Sequence, residues 1–192
     1  MGLGINYKYK VIKNFLLENE IDLLKKYVQI RHRINQSDFD FDLLDTHDTS
    51  LYGDPIMEAL LLSKMKKLEK ETSLELLPTY SFWRLYTYGA ELKKHKDRPS
   101  CEVSVTVMIG SCGTYEWPIF MDGKPISLNN GDAVVYLGQE VEHYREEFKG
   151  DWHAQCFLHY VNKNGKNIEW EADKRALLGL QYTKNTLFNE SN

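Results

Sequence analysis

The sequence predicts a mainly β fold: a jelly roll of two sheets, with helices packed on one outer sheet. Three observations carry this. As far as about Thr72, apolar residues recur at helical spacing. After Pro78 the texture changes to short β-rich runs separated by turns. In that second region Asp122-Gly123 and Asn130-Gly131 are dipeptides favoured in tight hairpins. Six to eight short strands of this kind suggest a double-sheet jelly roll, and helices would hide its otherwise exposed face.

Taken in order, the first helix spans Glu18 to Arg31. Ile21, Leu24, Val28 and Arg31 form its stripe, Leu17 and Tyr27 flank it, and Asn14 or Asn19 could cap it. A loop or short edge strand over 37–52, rich in Asp, Ser, Thr and His, lies near the expected mouth of a site. Asp54-Pro55 then supplies an N-cap followed by proline at the first helical position. Ile56, Met57, Leu60, Leu61, Lys64, Met65 and Leu68 give that second helix its inner face. Strands are expected at Tyr80–Tyr88, Leu92–His95, Glu102–Ile109, Pro118–Met121, Ile126–Leu128, Ala133–Leu137, His153–Val161 and Asn167–Trp170. The stretch from Lys174 to Leu187 reads as weakly helical, ahead of a frayed end. At 192 residues the chain fits one domain with a full core. Its parts are a mainly helical segment (1–77), a jelly-roll core (78–172) and a weakly helical tail (173–192).

Composition narrows the function. A formal net charge of −4 argues against a partner gripped through its phosphate backbone, so nucleic acid is disfavoured. No apolar run approaches the roughly 18 residues that span a bilayer, and the first residues lack a signal-peptide core. Cys101, Cys112 and Cys156 are odd in number and form no Cys-x-x-Cys pair. They read as packing residues in a reducing cytoplasm.

The chemistry-bearing motif is His95-Lys96-Asp97, followed by a distant His143. One intervening residue puts His95 and Asp97 on the same side of an extended segment. Two imidazoles and a carboxylate can cap one face of an octahedral ion and leave three positions free, as non-haem Fe(II) oxygenases need. Alone the pair means little: with six His and 28 acidic residues, about one His-x-acid hit arises by chance. Its setting adds weight. Tyr86-Thr87-Tyr88-Gly89 precedes it, and the alternating Val103, Val105, Val107 and Ile109 follow. Gly131-Asp132 then leads into a buried strand before His143. Among the other histidines, His32 and His47 read as surface or capping groups. His153 and His159 share one strand face about 20 Å apart, too far to share an ion.

Across roughly Tyr80 to Tyr160 the chain resembles the 2-oxoglutarate/Fe(II)-dependent oxygenases, nearest in layout to their prolyl-hydroxylase-like branch. The resemblance rests on Tyr86-x-x-Gly89, His95-x-Asp97, Gly131-Asp132 with its strand, and His143. The stretches Arg98-Pro99-Ser100-Cys101-Glu102 and Phe157-Leu158-His159-Tyr160 are similar to a bacterial and phage-type subgroup. The resemblance implies a double-stranded β-helix and Fe(II) held by His95, Asp97 and His143. It also implies 2-oxoglutarate consumed with dioxygen to give succinate and CO2, and hydroxylation of a small molecule or a protein side chain.

One departure stands out. The family usually carries Arg or Lys nine or ten residues past the distal His, to grip the far carboxylate of the cosubstrate. Here those positions hold Trp152 and His153. Arginine suits a carboxylate because its planar fork matches it. Arg145, two residues past His143, is the first replacement, Arg98 the next, and Arg84 shares the strand face of Tyr86. Tyr86 matches the family's carboxylate-donating tyrosine, and His153 could touch the cosubstrate. The loop from Ser111 to Trp117 is a candidate lid or substrate rim. A cupin-like metalloenzyme without an oxo acid and a non-catalytic jelly-roll binding module are the competing readings.

Overall fold

Residues 7–37 and 48–180 are described by the structure, a computed structural model, and in them the period-2 runs of the sequence become two antiparallel sheets. The elements are β1 (Tyr9–Ile12), α1 (Glu18–Ser37), β2 (Thr49–Tyr52), α2 (Pro55–Thr72), β3 (Leu76–Thr87), β4 (Leu92–His95), β5 (Val103–Ser111), β6 (Ile119–Met121), β7 (Lys124–Ile126), β8 (Ala133–Leu137), β9 (His143–Arg145) and β10 (Trp152–Asn162). Short 3-10 helices occupy Pro99–Cys101 and Ile168–Lys174. The larger sheet has the order β1-β8-β5-β10-β3-β2, and the smaller β4-β9-β6-β7.

Alternation on the larger sheet sorts its residues into two chemistries. One face presents Trp83 and Leu85 of β3, Val103, Val105, Val107 and Ile109 of β5, and Ala154, Cys156, Leu158 and Tyr160 of β10. These pack with Leu24 and Val28 of α1 and Met57, Leu61 and Leu68 of α2 in one apolar cluster. The opposite face of the same strands carries Arg84 and Tyr86, Ser104 and Thr106, and His153, Gln155, Phe157 and His159. β10 is buried on both faces from His153 onward, because helices cover one and the smaller sheet the other. The polar face is thus a consequence of strand parity, and it is where a site can form.

Both helices are started by carboxylates. Asp54 caps α2, its Oδ1 accepting from the Ile56 and Met57 amides at 3.0 and 3.4 Å. Its Oδ2 accepts from the Tyr27 hydroxyl and from the Trp83 indole at 3.2 Å, tying α1, α2 and β3 to one buried group. At α1 neither Asn14 nor Asn19 caps. The Glu20 carboxylate instead accepts from the Leu17 amide at 2.7 Å, the reciprocal half of a capping box. Glu20 also binds Lys64 of α2 at 2.5–2.7 Å, which explains a lysine on an inner face.

Several sequence expectations need correction. A strand ahead of the first helix was not expected: β1 forms one edge of the larger sheet, opposite β2, the short edge strand offered for 37–52. Leu17, expected to flank the helix stripe, is exposed one residue ahead of α1. Asn167–Trp170 is not a strand but falls at the 3-10 helix Ile168–Lys174. β7 begins and ends two residues earlier than expected, at Lys124–Ile126. In the tail, residues 175–180 form bends and a turn rather than a helix. Residues 181–192 lie outside the described residues, as do 38–47, including His47. His32 does not cap: its Nδ1 bonds the Thr49 hydroxyl at 2.8 Å and joins α1 to β2. The three cysteines are free thiols, with Cys101 and Cys156 buried. Among the described residues no helix is long and apolar enough to cross a membrane.

Asp54→Ala should cost about 2–4 kcal/mol, combining a lost cap with two buried donors left without an acceptor. Urea unfolding monitored by circular dichroism measures it; a loss under about 0.5 kcal/mol, the range of an ordinary surface change, would show that the group is not a linchpin.

Candidate metal centre

His95 and His143 are cross-strand partners between β4 and β9, so the register of the smaller sheet sets one imidazole against the other. Their ring centroids lie 4.3 Å apart. Asp97 follows just past the end of β4, where its backbone amide donates to the Gly138 carbonyl at 2.9 Å. Its Oδ1 lies 3.7 Å from His95 Nε2 and 3.6 Å from His143 Nε2. One donor atom from each of the three residues falls within 4.8 Å of the other two.

Hydrogen bonding fixes which ring nitrogens are free. His95 Nδ1 faces the Lys93 carbonyl at 2.6 Å, and His143 Nδ1 faces the Val141 carbonyl at 3.1 Å. A carbonyl only accepts, so both Nδ1 atoms carry a proton, and Nε2 is the nitrogen that presents the lone pair in each neutral imidazole. Those lone pairs point at a carboxylate oxygen. Burial pushes the His143 pKa below the ordinary value, with His95 acting in the same direction and Asp97 opposing, so this ring stays neutral near pH 7. The Tyr136 hydroxyl is 3.5 Å from His143 Nε2, too long for a strong bond. Two imidazole nitrogens and a carboxylate oxygen converging in this way form a donor set that a cation can share.

The other carboxylate oxygen is held from behind. Ser104 Oγ donates to Asp97 Oδ2 at 2.8 Å and lies 2.9 Å from His159 Nδ1, so the bonds run from His159 through Ser104 to Asp97. Gly138 makes room for this. A Cβ there would lie 2.5 Å from Asp97 Oδ2 and 2.2 Å from the Cys101 carbonyl. Asp97, Cys101 and His159 also place donor atoms within 4.8 Å of one another, but the Ser104 hydroxyl already bridges Asp97 and His159.

A cavity of about 340 Å³ opens over His95, Asp97 and His143, walled by Tyr52, Tyr80, Phe82, Tyr86 and Phe157. Two of the arginines picked out in the sequence line it, and both are neutralised. Arg84 pairs with Asp48, with Nε 2.7 Å from Oδ2, and Arg98 donates to Asp173 at 2.7 Å. Arg145 differs. Its side chain is fully buried with no acidic partner among the described residues; one amino group donates to the Trp117 carbonyl, and its Nε has no acceptor. Burial pushes its pKa down to about 10, still cationic at neutral pH. His153, also buried, receives the Gln155 amide at Nε2 (2.8 Å), so its Nδ1 holds the proton and finds no acceptor. Burial and then Arg145 push its pKa well below the ordinary value. Tyr86 lies buried between Arg84 and Trp117, a phenol kept neutral by burial.

Sequence reasoning missed Ser104 and Gly138. Ser104 carried a signal, a hydroxyl at the inner parity of a strand whose other face is Val103, Val105, Val107 and Ile109. Gly138 carried none. The 111–117 loop borders a different cavity, together with Met108 and His153, and not the metal cavity.

No family model matches the chain, and no curated protein matches it either. Solved structures do, at the level of fold. A prolyl-4-hydroxylase from Pseudomonas putida aligns with 83% of this chain and 95% of its own at 17% identity, TM-score 0.58. A viral collagen prolyl hydroxylase from Paramecium Bursaria Chlorella virus-1, in complex with 2OG, aligns with 81% and 96% at 13% identity, TM-score 0.59. EctD from S. alaskensis with bound Fe aligns with 88% and 80% at 13% identity, TM-score 0.64. The chain therefore has the fold shared by these oxygenases, prolyl hydroxylases among them.

Ser104→Ala should weaken divalent-metal binding by about 10–100-fold, the usual cost of losing a bond behind a ligand. Calorimetric titration with Co(II) reads this, and unchanged affinity would remove Ser104 from the site. A second expectation concerns pH. Burial pushes the His159 pKa down to about 4. The unfolded chain then binds one more proton than the folded one between about pH 4 and pH 6.5, so stability rises with pH across that window. The full contribution is present above pH 6.5, and about 3 kcal/mol of it is lost on reaching pH 4. Metal-free His159→Gln should show a correspondingly shallower slope in urea melts; an identical slope would refute the assignment.

Proposed function

We propose that the protein is an Fe(II)- and 2-oxoglutarate-dependent oxygenase that hydroxylates a C–H bond of a small molecule or a protein side chain. The two sheets are then the halves of a double-stranded β-helix jelly roll, within one domain. One observation carries the reading: two imidazoles with lone pairs fixed toward a shared carboxylate oxygen, at the end of a cavity. The donor set fits the ion, since two nitrogens and one oxygen on one face suit Fe(II) and leave positions for a chelating acid and dioxygen. The buried surroundings fit the oxo acid, because Arg145 Nε and His153 Nδ1 are donors that lack an acceptor.

His95, Asp97 and His143 would hold the metal. Arg145, with Tyr86 and His153, would hold the far carboxylate of 2-oxoglutarate. Arg98 is reassigned from the cosubstrate to the cavity rim, where Asp173 already occupies it. When bound, the metal and the oxo acid supply oxidation of the substrate C–H bond, with succinate and CO2 released. The residues themselves bind and orient. The backbone carbonyls of Lys93 and Val141 keep each imidazole in its ligating tautomer, and Ser104 keeps one carboxylate oxygen turned away from the ion. Tyr136 and Phe157 wall the cavity beside His143 and exclude water from it. The free thiols fit a reducing compartment, for which we propose the cytoplasm.

Iron-dependent conversion of 2-oxoglutarate to succinate tests the reading, with His143→Ala as the control that abolishes it. Arg145→Ala should raise the 2-oxoglutarate requirement by about 10–100-fold, the loss of a charge-assisted bond. An unchanged requirement would take Arg145 out of the cosubstrate site, and absence of turnover together with absence of Fe(II) binding would overturn the class.

A further inference from the structure

The cavity over His95, Asp97 and His143 is walled by rings: Tyr52, Tyr80, Phe82, Tyr86, Tyr136 and Phe157. Tyr52 packs on Tyr80 with ring centroids 4.9 Å apart, and Phe82 stacks on Phe157 at 6.0 Å. An apolar void of about 150 Å³ admits benzene, so a six-membered ring takes up less than about half of this one. The charges around the cavity are matched one for one. Arg84 meets Asp48, whose other oxygen accepts from the Thr87 amide at 2.7 Å and hydroxyl at 3.1 Å. Arg98 meets Asp173, which also accepts from the Tyr52 hydroxyl at 2.5 Å. Both acids stand outside the cavity lining, each tied to a second partner. An anionic substrate would have to compete with a fixed carboxylate for either arginine. A cationic one fares no better. Among the described residues the carboxylate that lines the cavity is Asp97, which the metal reading takes. Guanidinium groups already stand over the rings of Tyr86 at 4.4 Å, Tyr80 at 4.8 Å and Tyr52 at 5.0 Å, the contacts a second cation would need.

We propose that the substrate presents an uncharged, apolar ring to this cavity, and that Asp48 and Asp173 set that preference by neutralising Arg84 and Arg98. This rests on the oxygenase reading above, in which the metal and Arg145 meet the charge of the oxo acid. The two acids are specificity-determining residues that need not touch the substrate. Each acts through the arginine it holds, and removing either acid turns the cavity toward anions.

The test uses the full chain loaded with Zn(II), a redox-silent ion, in saturating 2-oxoglutarate. Benzyl alcohol, benzyltrimethylammonium and benzenesulfonate share one ring and differ in charge, and ligand-observed NMR titrations give their dissociation constants. Benzyl alcohol should bind at least about tenfold tighter than either ion. Asp173→Asn leaves Arg98 unpaired and should improve benzenesulfonate by about tenfold relative to benzyl alcohol. Adding Arg98→Gln should cancel that gain. Asp48→Asn makes the same test at Arg84 should Asp173→Asn fail to fold. Equal binding of the three probes, tighter binding of an ion, or no binding of benzyl alcohol overturns the inference. So does an unchanged ratio in a folded Asp variant. Succinate formation is read separately. Turnover without the charge preference overturns this inference alone. The preference without turnover or Fe(II) binding overturns the oxygenase reading and leaves a cavity that binds uncharged rings.

Discussion

Asp97 is held from three directions: its amide by the Gly138 carbonyl, one carboxylate oxygen by Ser104, and its Cβ against a glycine that leaves no space for a side chain. The remaining oxygen is the one that both Nε2 lone pairs approach. Without a cation this is an electrostatic cost built into the fold. It persists because each participant is fixed by something else, the imidazoles by backbone carbonyls and the carboxylate by a hydroxyl. The three donor groups are thus organised by the fold itself, so a cation bound as proposed would spend little energy on rearrangement.

That organisation depends on a division of labour within single strands. Each central strand of the larger sheet gives one face to the helices and the other to the cavity. Val103, Val105 and Val107 anchor β5 in the apolar cluster, while Ser104 between them braces Asp97. Leu158 and Tyr160 do the same for β10 on either side of His159. A one-residue slip of either strand would turn its polar residues toward the helices and its valines toward the metal, so core packing itself enforces the register of the site.

How much of this was legible follows from the range of the forces involved. His95 and Asp97 could be read because their relation is local, the last residue of β4 and a residue two further on. His143 could be paired with them only through resemblance, since β9 is three residues long and gives no periodicity of its own. Its register comes from β4 and β6 on either side. The helix stripe was right at Leu24 and Val28, while Leu17, read as flanking it, lies ahead of the first helical turn and faces water. Ile168–Lys174 misled because its alternation of apolar and charged residues mimics a strand. Its left-handed Ala172, Asp173 and Lys174 are instead held by long-range partners, Asp173 by Tyr52 and Arg98, and Arg175 by Glu58. Gly138 was invisible because its requirement is a close approach between loops distant in sequence.

Sequence position alone left three arginines open as the cation. Arg145 and Arg98 lie two and one residues from His143 and Asp97, and Arg84 shares the strand face of Tyr86. What separates them is the counter-ion each meets in three dimensions. Asp48, just before the edge strand β2, neutralises Arg84, and Asp173, from the turn after β10, neutralises Arg98. Both acids come from segments outside the central strands that carry the ligands. Arg145 alone of the three has no acidic partner among the described residues, at the greatest depth. A buried charge without a partner is costly, and a protein that retains one is stabilised by whatever anion completes it. β9 of the smaller sheet thus carries the one of these three arginines whose charge no acid meets among the described residues.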